Sequence, residues 1–102
     1  QVPSACSLEE AIAAARNVGL YSLSALQTEL ESLDRVQQII RTFGMVNSAP
    51  GFSEHPKVID GFSNLMIDIF GEAGRGARSA VGMSSLPFNI SVEVEMTVKL
   101  FD

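Results

Sequence analysis

The stretch VEVEMTVKL, residues 92–100, alternates strictly between apolar and polar side chains. Successive side chains of a β-strand point to opposite faces of its sheet, so this period of two predicts a strand. One face of that strand is expected to be buried, and the other face, which carries Glu93, Glu95 and Lys99, is polar. This is the clearest secondary-structure signal in the chain.

Two helices are predicted upstream of this strand. Ser7 and Glu10 have the spacing of a capping box, in which each side chain satisfies a free amide of the first helical turn. Apolar residues then recur three and four positions apart as far as Leu33, as on one face of a helix. A second apolar stripe follows His55-Pro56, where proline is tolerated in the first turn, and Gly71 is expected to end that helix.

Two further strands complete the predicted elements. The run Arg35–Asn47 is β-rich and apolar on both faces, which favours an interior strand. Another strand is predicted from Ala77 to about Leu86. Pro87-Phe88-Asn89 is expected to turn the chain directly into the final strand, so that the last two strands form a hairpin.

The order helix, strand, helix, strand, strand predicts an α+β fold in one domain over residues 1–102. Three strands for two amphipathic helices would leave sheet edges open and helix surface uncovered. We therefore expect either that further strands precede Gln1 in a longer protein or that another subunit covers the gap.

Composition argues against several classes of function. Seven basic and twelve acidic residues give a net charge of −5, which disfavours nucleic acid as a partner, because binding to phosphates needs clustered Lys and Arg. The one cysteine, Cys6, cannot form an internal disulfide, and no Cys/His spacing fits a metal site. There is no apolar run of about 18 residues and no signal-peptide pattern, so we expect a cytoplasmic protein without a membrane partner.

The segment GARSAVG, residues 76–82, followed by Leu86-Pro87 and by VEVE at 92–95, resembles the signature of the RidA/YjgF family of reactive-intermediate deaminases. These proteins are also labelled endoribonuclease L-PSP. The helix beginning at Ser7 and the loop Val46–Pro50 occur in the same order as in that family. The resemblance thus covers nearly the whole chain.

The resemblance implies a chorismate-mutase-like fold, a sheet backed by two helices, and a homotrimer with ligand clefts between subunits. The family's N-terminal strands are absent from this sequence. Gln1-Val2-Pro3 resembles the tail of the Ser-Gly-Gln-like step that ends those strands, so we expect residues to be missing before Gln1. The best-known members have a cysteine two positions after the motif arginine, and here that position is Ala80.

The resemblance also implies the site residues. Arg78 is expected to bind the carboxylate of a small 2-imino or 2-keto acid, with Ser79 and Ala80 beside it, and Glu93 to position the attacking water. A guanidinium has two parallel donors that match a carboxylate. The alternatives are a structural ion pair for Arg78 and an ordinary place on the polar strand face for Glu93.

Other reactive side chains favour simpler interpretations. Cys6 and His55 are far apart in sequence and no acid is aligned behind the histidine, so a nucleophile–base pair is disfavoured. Asp60 and Asp68 are predicted to form a solvated edge of the second helix.

The main hypothesis is hydrolysis of 2-imino or enamine acids to 2-keto acids and ammonia, with no metal or organic cofactor. The alternative is a non-catalytic trimer that binds or senses a small carboxylate. Ribonuclease activity follows only from the older family label and fits the acidic composition poorly.

Overall fold

Two helices and a three-stranded sheet form the computed structural model, which describes residues 1–102. In chain order the elements are α1 (Leu8–Leu30), β1 (Val36–Asn47), α2 (His55–Phe70), β2 (Ala77–Met83) and β3 (Val92–Leu100). Short 3₁₀ turns at Leu33–Arg35, Gly71–Gly74 and Pro87–Asn89 precede the three strands. Neither long helix has the length and apolar character needed to cross a membrane.

Helix α1 begins where the capping box predicts. The Glu10 amide donates to the Ser7 hydroxyl over 3.1 Å, and the Ser7 amide donates to the Glu10 carboxylate over 3.0 Å. The helix ends at Leu30, before the predicted Leu33, because Glu31 adopts a left-handed conformation with φ 70°. A positive φ at this position ends the run of helical hydrogen bonds.

The strand order is β2-β1-β3, with β1 parallel to β2 and antiparallel to β3. The prediction that the first strand lies in the interior of the sheet is confirmed. The predicted hairpin between the last two strands is wrong, because β1 lies between them. Helix α2 is the crossover of a parallel β1-α2-β2 unit, as parallel strands require.

The turn Pro87–Asn89 carries the chain past the end of β1 to its other edge. The Asn47 side chain, at the end of β1, donates from Nδ2 to Asn89 Oδ1 over 3.1 Å and to the Ile90 carbonyl over 3.0 Å. Asn47 is completely buried. These two hydrogen bonds hold the turn against the end of β1. Strand β3 therefore begins at the edge of β1 opposite to β2.

Both helices pack on one face of the sheet. This layer contains the largest buried side chains of the protein, Phe62, Ile39, Ile59 and Met66, and the apolar face of β3 packs against it. Two glycines allow close approach: a Cβ at Gly44 would overlap the Ile59 side chain, and one at Gly61 would overlap the Ile12 carbonyl oxygen. The core is therefore a two-layer α/β sandwich.

The other face of the sheet, which we call the open face, carries no helix. In register across it lie Phe43 and Met45 of β1, Ser79 and Val81 of β2, and Glu93 and Glu95 of β3. Met45 is only 7% exposed, so its neighbours on this face already cover it.

Candidate functional site

Arg78 is the second residue of β2, the edge strand of the parallel pair, and pairs with Thr42 of β1. Its side chain lies on the helix-covered face. Nη1 donates to Asp60 Oδ1 over 2.7 Å and to Ser63 Oγ over 3.3 Å. Both acceptors belong to α2, so this one nitrogen connects the edge strand to the helix above it.

Helix α2 can supply both acceptors because Asp60 and Ser63 are three residues apart. Side chains at this spacing lie on the same face of a helix. The crossover geometry places α2 over β2, so that face of the helix contacts Arg78. The Asp60–Arg78 contact is a salt bridge as well as a hydrogen bond.

This arrangement fixes the guanidinium and leaves part of it free. The Arg78 side chain is 28% exposed and that of Asp60 is 46% exposed. Both contacts use Nη1, and neither Nε nor Nη2 has an acceptor within the chain. The Nε and Nη2 hydrogens form one edge of the planar group, and this edge can bind a carboxylate through two parallel hydrogen bonds.

A small polar cavity of about 250 Å³ lies at this position. Its lining is formed by Asp60, Ser63, Asn64, Ile67, Arg75, Gly76 and Arg78. Cavities that hold drug-sized ligands typically measure about 300–1,000 Å³. The lining and the volume therefore suit a small, polar molecule.

The second arginine of the cavity is also paired. Arg75 donates from Nε and Nη2 to the two carboxylate oxygens of Glu72, each over 3.1 Å. The hydrogen bond from Arg75, together with its charge, lowers the pKa of Glu72 below the ordinary value of 4.5. Glu72 does not line the cavity, so it offsets only part of the positive charge that Arg75 brings there.

The other predicted site residues are divided between the two faces of the sheet. Ala80 lies on the same face as Arg78 and packs against the core. Ser79 lies on the open face, where its hydroxyl accepts a hydrogen bond from Arg41 Nη2 over 3.4 Å. Alternation along a strand requires this division, because residues 78 and 79 point to opposite sides.

Glu93 also lies on the open face. It pairs with Met45, while its neighbours Val92 and Val94 belong to or pack against the core on the opposite side. Strand β1 separates β3 from β2. Arg78 and Glu93 are therefore not brought together within one chain.

Asp60 and Asp68 were predicted to form a solvated edge; Asp68 is exposed and the Asp60 side chain is 46% exposed, but the prediction did not include an ion pair for Asp60. Asp60 is the ion-pair partner of Arg78 and lines the cavity. The available signal was the group of polar residues Asp60, Ser63 and Asn64 on a helix that is otherwise strongly apolar. Across the whole chain, no three His, Cys, Asp or Glu side chains are close enough together to hold a metal ion.

Two helices packed on one face of a mixed three-stranded sheet place the protein in the α+β class, with Arg78 in a small polar cavity at the edge strand. A family described as "YjgF/chorismate mutase-like, putative endoribonuclease" matches residues 1–100. The chain belongs to this family, and the chorismate-mutase-like fold expected from the sequence is confirmed.

The chain is similar to proteins that are longer than it is. Protein TCP17 of Trypanosoma cruzi is 42% identical over 101 residues, which is 98% of this chain and 63% of that protein. The crystal structure of Atu1372 from Agrobacterium tumefaciens, a protein of unknown function, is 40% identical with a TM-score of 0.88, over 91% of this chain and 60% of that one. The crystal structure of a "putative endoribonuclease" from Shewanella oneidensis is 34% identical with a TM-score of 0.91, over 96% of this chain and 65% of that one. The chain thus spans less than two thirds of the length of each relative.

Proposed function

We propose that this chain is a subunit of a RidA-type deaminase, which hydrolyses small 2-imino and enamine acids to 2-keto acids and ammonia. One observation carries the proposal: the Arg78 guanidinium is fixed by Asp60 and Ser63, with its Nε and Nη2 edge free in a small polar cavity. All the substrates and products of this reaction class that contain carbon have a carboxylate, which such an edge binds.

The fixed position of Arg78 supports binding because less freedom is lost when the ligand arrives. A free arginine side chain gives up substantial rotamer entropy on forming two hydrogen bonds. Here Asp60 and Ser63 have already ordered it. Charge-assisted, bidentate hydrogen bonds are also stronger than neutral ones, and they set the orientation of the bound acid.

The chemistry requires only water and proton transfer. An enamine acid first tautomerises to the imine. Water then adds to the imine carbon while one of its protons passes to the nitrogen, which gives a carbinolamine. The remaining hydroxyl proton passes to the nitrogen as the carbon–nitrogen bond breaks, so that ammonia leaves and a 2-keto acid remains. A carboxylate that orients this water, as we propose for Glu93, acts as a general base.

Glu93 must come from another copy of the chain if it is to act beside Arg78, since the two lie on opposite faces of one sheet. We propose that the homotrimer implied by the family resemblance supplies that copy. Two features support it: the open face has apolar side chains at Phe43 and Val81 with no second layer, and β2 is an unpaired sheet edge. Association would cover both. A monomer mass in light scattering at micromolar concentration would contradict the trimer.

The test of the activity is ammonia release from freshly generated 2-aminoacrylate. Wild-type protein should accelerate the release above the rate in buffer, and Arg78→Ala should remove the acceleration. Arg16→Ala, which removes an exposed arginine of α1 without a salt-bridge partner, is the matched control and should retain it. Equal acceleration by the wild type and Arg78→Ala would refute the proposed role of Arg78.

A second function is favoured by one observation, namely that the cavity contains the carboxylate-binding group but not Glu93. In this case the protein binds or senses a small carboxylate without turnover. A ligand-dependent rise in Tm that Arg78→Ala abolishes, together with no ammonia release, would select this function. Ribonuclease activity, which the family description names, has less support, because the net charge is −5 and both cavity arginines are paired with acids.

A further inference from the structure

We propose that Asp60 makes the Arg78 cavity selective for zwitterions, that is, for 2-amino acids and protonated 2-imino acids over 2-keto acids. The proposal rests on the proposed function in one respect, since it takes Arg78 as the group that binds the carboxylate. It adds a second recognition group, for the positively charged nitrogen of the ligand.

The charge balance of the cavity is the first argument. Arg78 is paired with Asp60, and Arg75 is paired with Glu72. Asp60 offsets the charge of Arg78, and Glu72, which lies outside the lining, offsets part of the charge of Arg75, so the attraction of the cavity for an anion such as a 2-keto acid is reduced. A molecule that is neutral overall but carries both charges can meet an arginine and an acid at once.

The free acceptor of Asp60 is the second argument. Only Oδ1 is engaged by Arg78, and Oδ2 has no donor within the chain. An ionised carboxylate can accept several hydrogen bonds, so Oδ2 can accept from an ammonium or iminium nitrogen while Oδ1 keeps Arg78 in place. Asp60 lines the cavity and is 46% exposed, so a ligand can reach it.

The size and lining of the cavity narrow the ligand further. Its volume of about 250 Å³ corresponds to roughly eight water molecules at about 30 Å³ each. Ile67 is the one apolar side chain of the lining, and Ser63 and Asn64 are polar. The structure therefore favours amino and imino acids with a short side chain, such as that of alanine or serine.

L-alanine and pyruvate are matched probes, because they share a three-carbon skeleton and a carboxylate and differ in the charged nitrogen. We would titrate each into the wild type, Asp60→Asn, Asp60→Glu and Arg78→Ala, with calorimetry at low ionic strength. Wild type should bind alanine at least about tenfold more tightly than pyruvate, the size expected for a hydrogen bond to a charged group. Asp60→Asn should reduce this ratio to about one, and Asp60→Glu, which keeps the charge, should retain much of it.

The outcomes separate this proposal from the proposed function. If Asp60→Asn leaves the alanine-to-pyruvate ratio unchanged while Arg78→Ala abolishes binding of both, Asp60 only orients Arg78 and the selectivity proposal is overturned. If Arg78→Ala leaves both affinities unchanged, the carboxylate-binding role fails, and the selectivity proposal with it. Absence of alanine binding to folded wild-type protein would also overturn the selectivity proposal. Thermal melts of each variant establish that it is folded.

Discussion

Arg78 Nη1 lies 2.7 Å from Asp60 Oδ1, and this ion pair joins the edge strand β2 to helix α2. The contact holds the guanidinium at the rim of a small cavity instead of leaving it free in solvent. It also connects the residue that the family motif singles out with one that the motif does not include.

The ion pair should contribute little to stability. The two side chains are 28% and 46% exposed, and pairs of this kind are screened by water. We expect Arg78→Ala to lower the free energy of unfolding by less than about 1 kcal/mol in urea titrations. A much larger loss would show that Arg78 is mainly structural and would weaken the functional argument, whereas loss of activity in a stable variant would strengthen it.

The contact between the two helices should be sensitive at Gly61. A Cβ there would overlap the Ile12 carbonyl oxygen, which is backbone and cannot move without shifting α1. We expect Gly61→Ala to lower the free energy of unfolding by about 2 kcal/mol or more, despite the better helix propensity of alanine.

Gly19→Ala is the matched comparison. Its added Cβ would meet the end of the Leu65 side chain, which can rotate away. We expect this variant to remain within about 1 kcal/mol of the wild type, because the gain of about 1 kcal/mol in helix propensity offsets the repacking. Equal destabilisation by the two substitutions, measured by urea unfolding, would contradict the proposed helix contact.

The side-chain amide of Asn47 should be essential for holding the turn that leads into β3. Its Nδ2 donates to Asn89 Oδ1 and to the Ile90 carbonyl from a fully buried position. Asn47→Asp keeps the shape but places an oxygen against two acceptors. We therefore expect it to lower the free energy of unfolding by about 2–3 kcal/mol near neutral pH.

Ser91→Ala, in the same segment, is the control for Asn47→Asp. The backbone carbonyl of Ser91 accepts a hydrogen bond from the backbone N–H of Asn47, and alanine keeps this carbonyl. Its unfolding midpoint should stay close to that of the wild type. An Asn47→Asp variant as stable as the wild type would mean that the turn is held by other contacts.

Stability should fall in acid partly through Glu10. Hydrogen bonds from the Ser7 amide and hydroxyl lower the pKa of Glu10 below the ordinary value of 4.5 in the folded protein. A lowered folded pKa means that its contribution is present above pH 4.5 and is lost as pH falls through the folded value. In Glu10→Gln the Tm should therefore depend less on pH below about 4.5. Glu9→Gln, which removes a charge from the same turn outside the capping box, is the control.

Local features of the fold could be predicted from the sequence. The capping box places the start of α1 correctly, and the strict alternation of residues 92–100 identifies both β3 and its buried face. These signals depend on neighbours in sequence. The strand order could not be derived in this way, since it depends on the α2 crossover and on the hydrogen bonds that Asn47 makes with residues more than 40 positions later.

In the candidate site, too, local motifs could be predicted and long-range contacts could not. The family motif identified Arg78, and the structure places it in a cavity. The motif could not reveal Asp60, because the contact requires α2 to lie over β2. The alternation of Glu93 with apolar neighbours indicates a polar face, but only the sheet shows that this face is opposite to Arg78.

Binding of a carboxylate at the free edge of the Arg78 guanidinium is tested most directly by a crystal structure of the protein soaked with pyruvate at saturating concentration. We predict the pyruvate carboxylate within about 3 Å of Arg78 Nε and Nη2, with Asp60 still bonded to Nη1. A carboxylate bound elsewhere, with that edge of Arg78 facing only solvent, would contradict it.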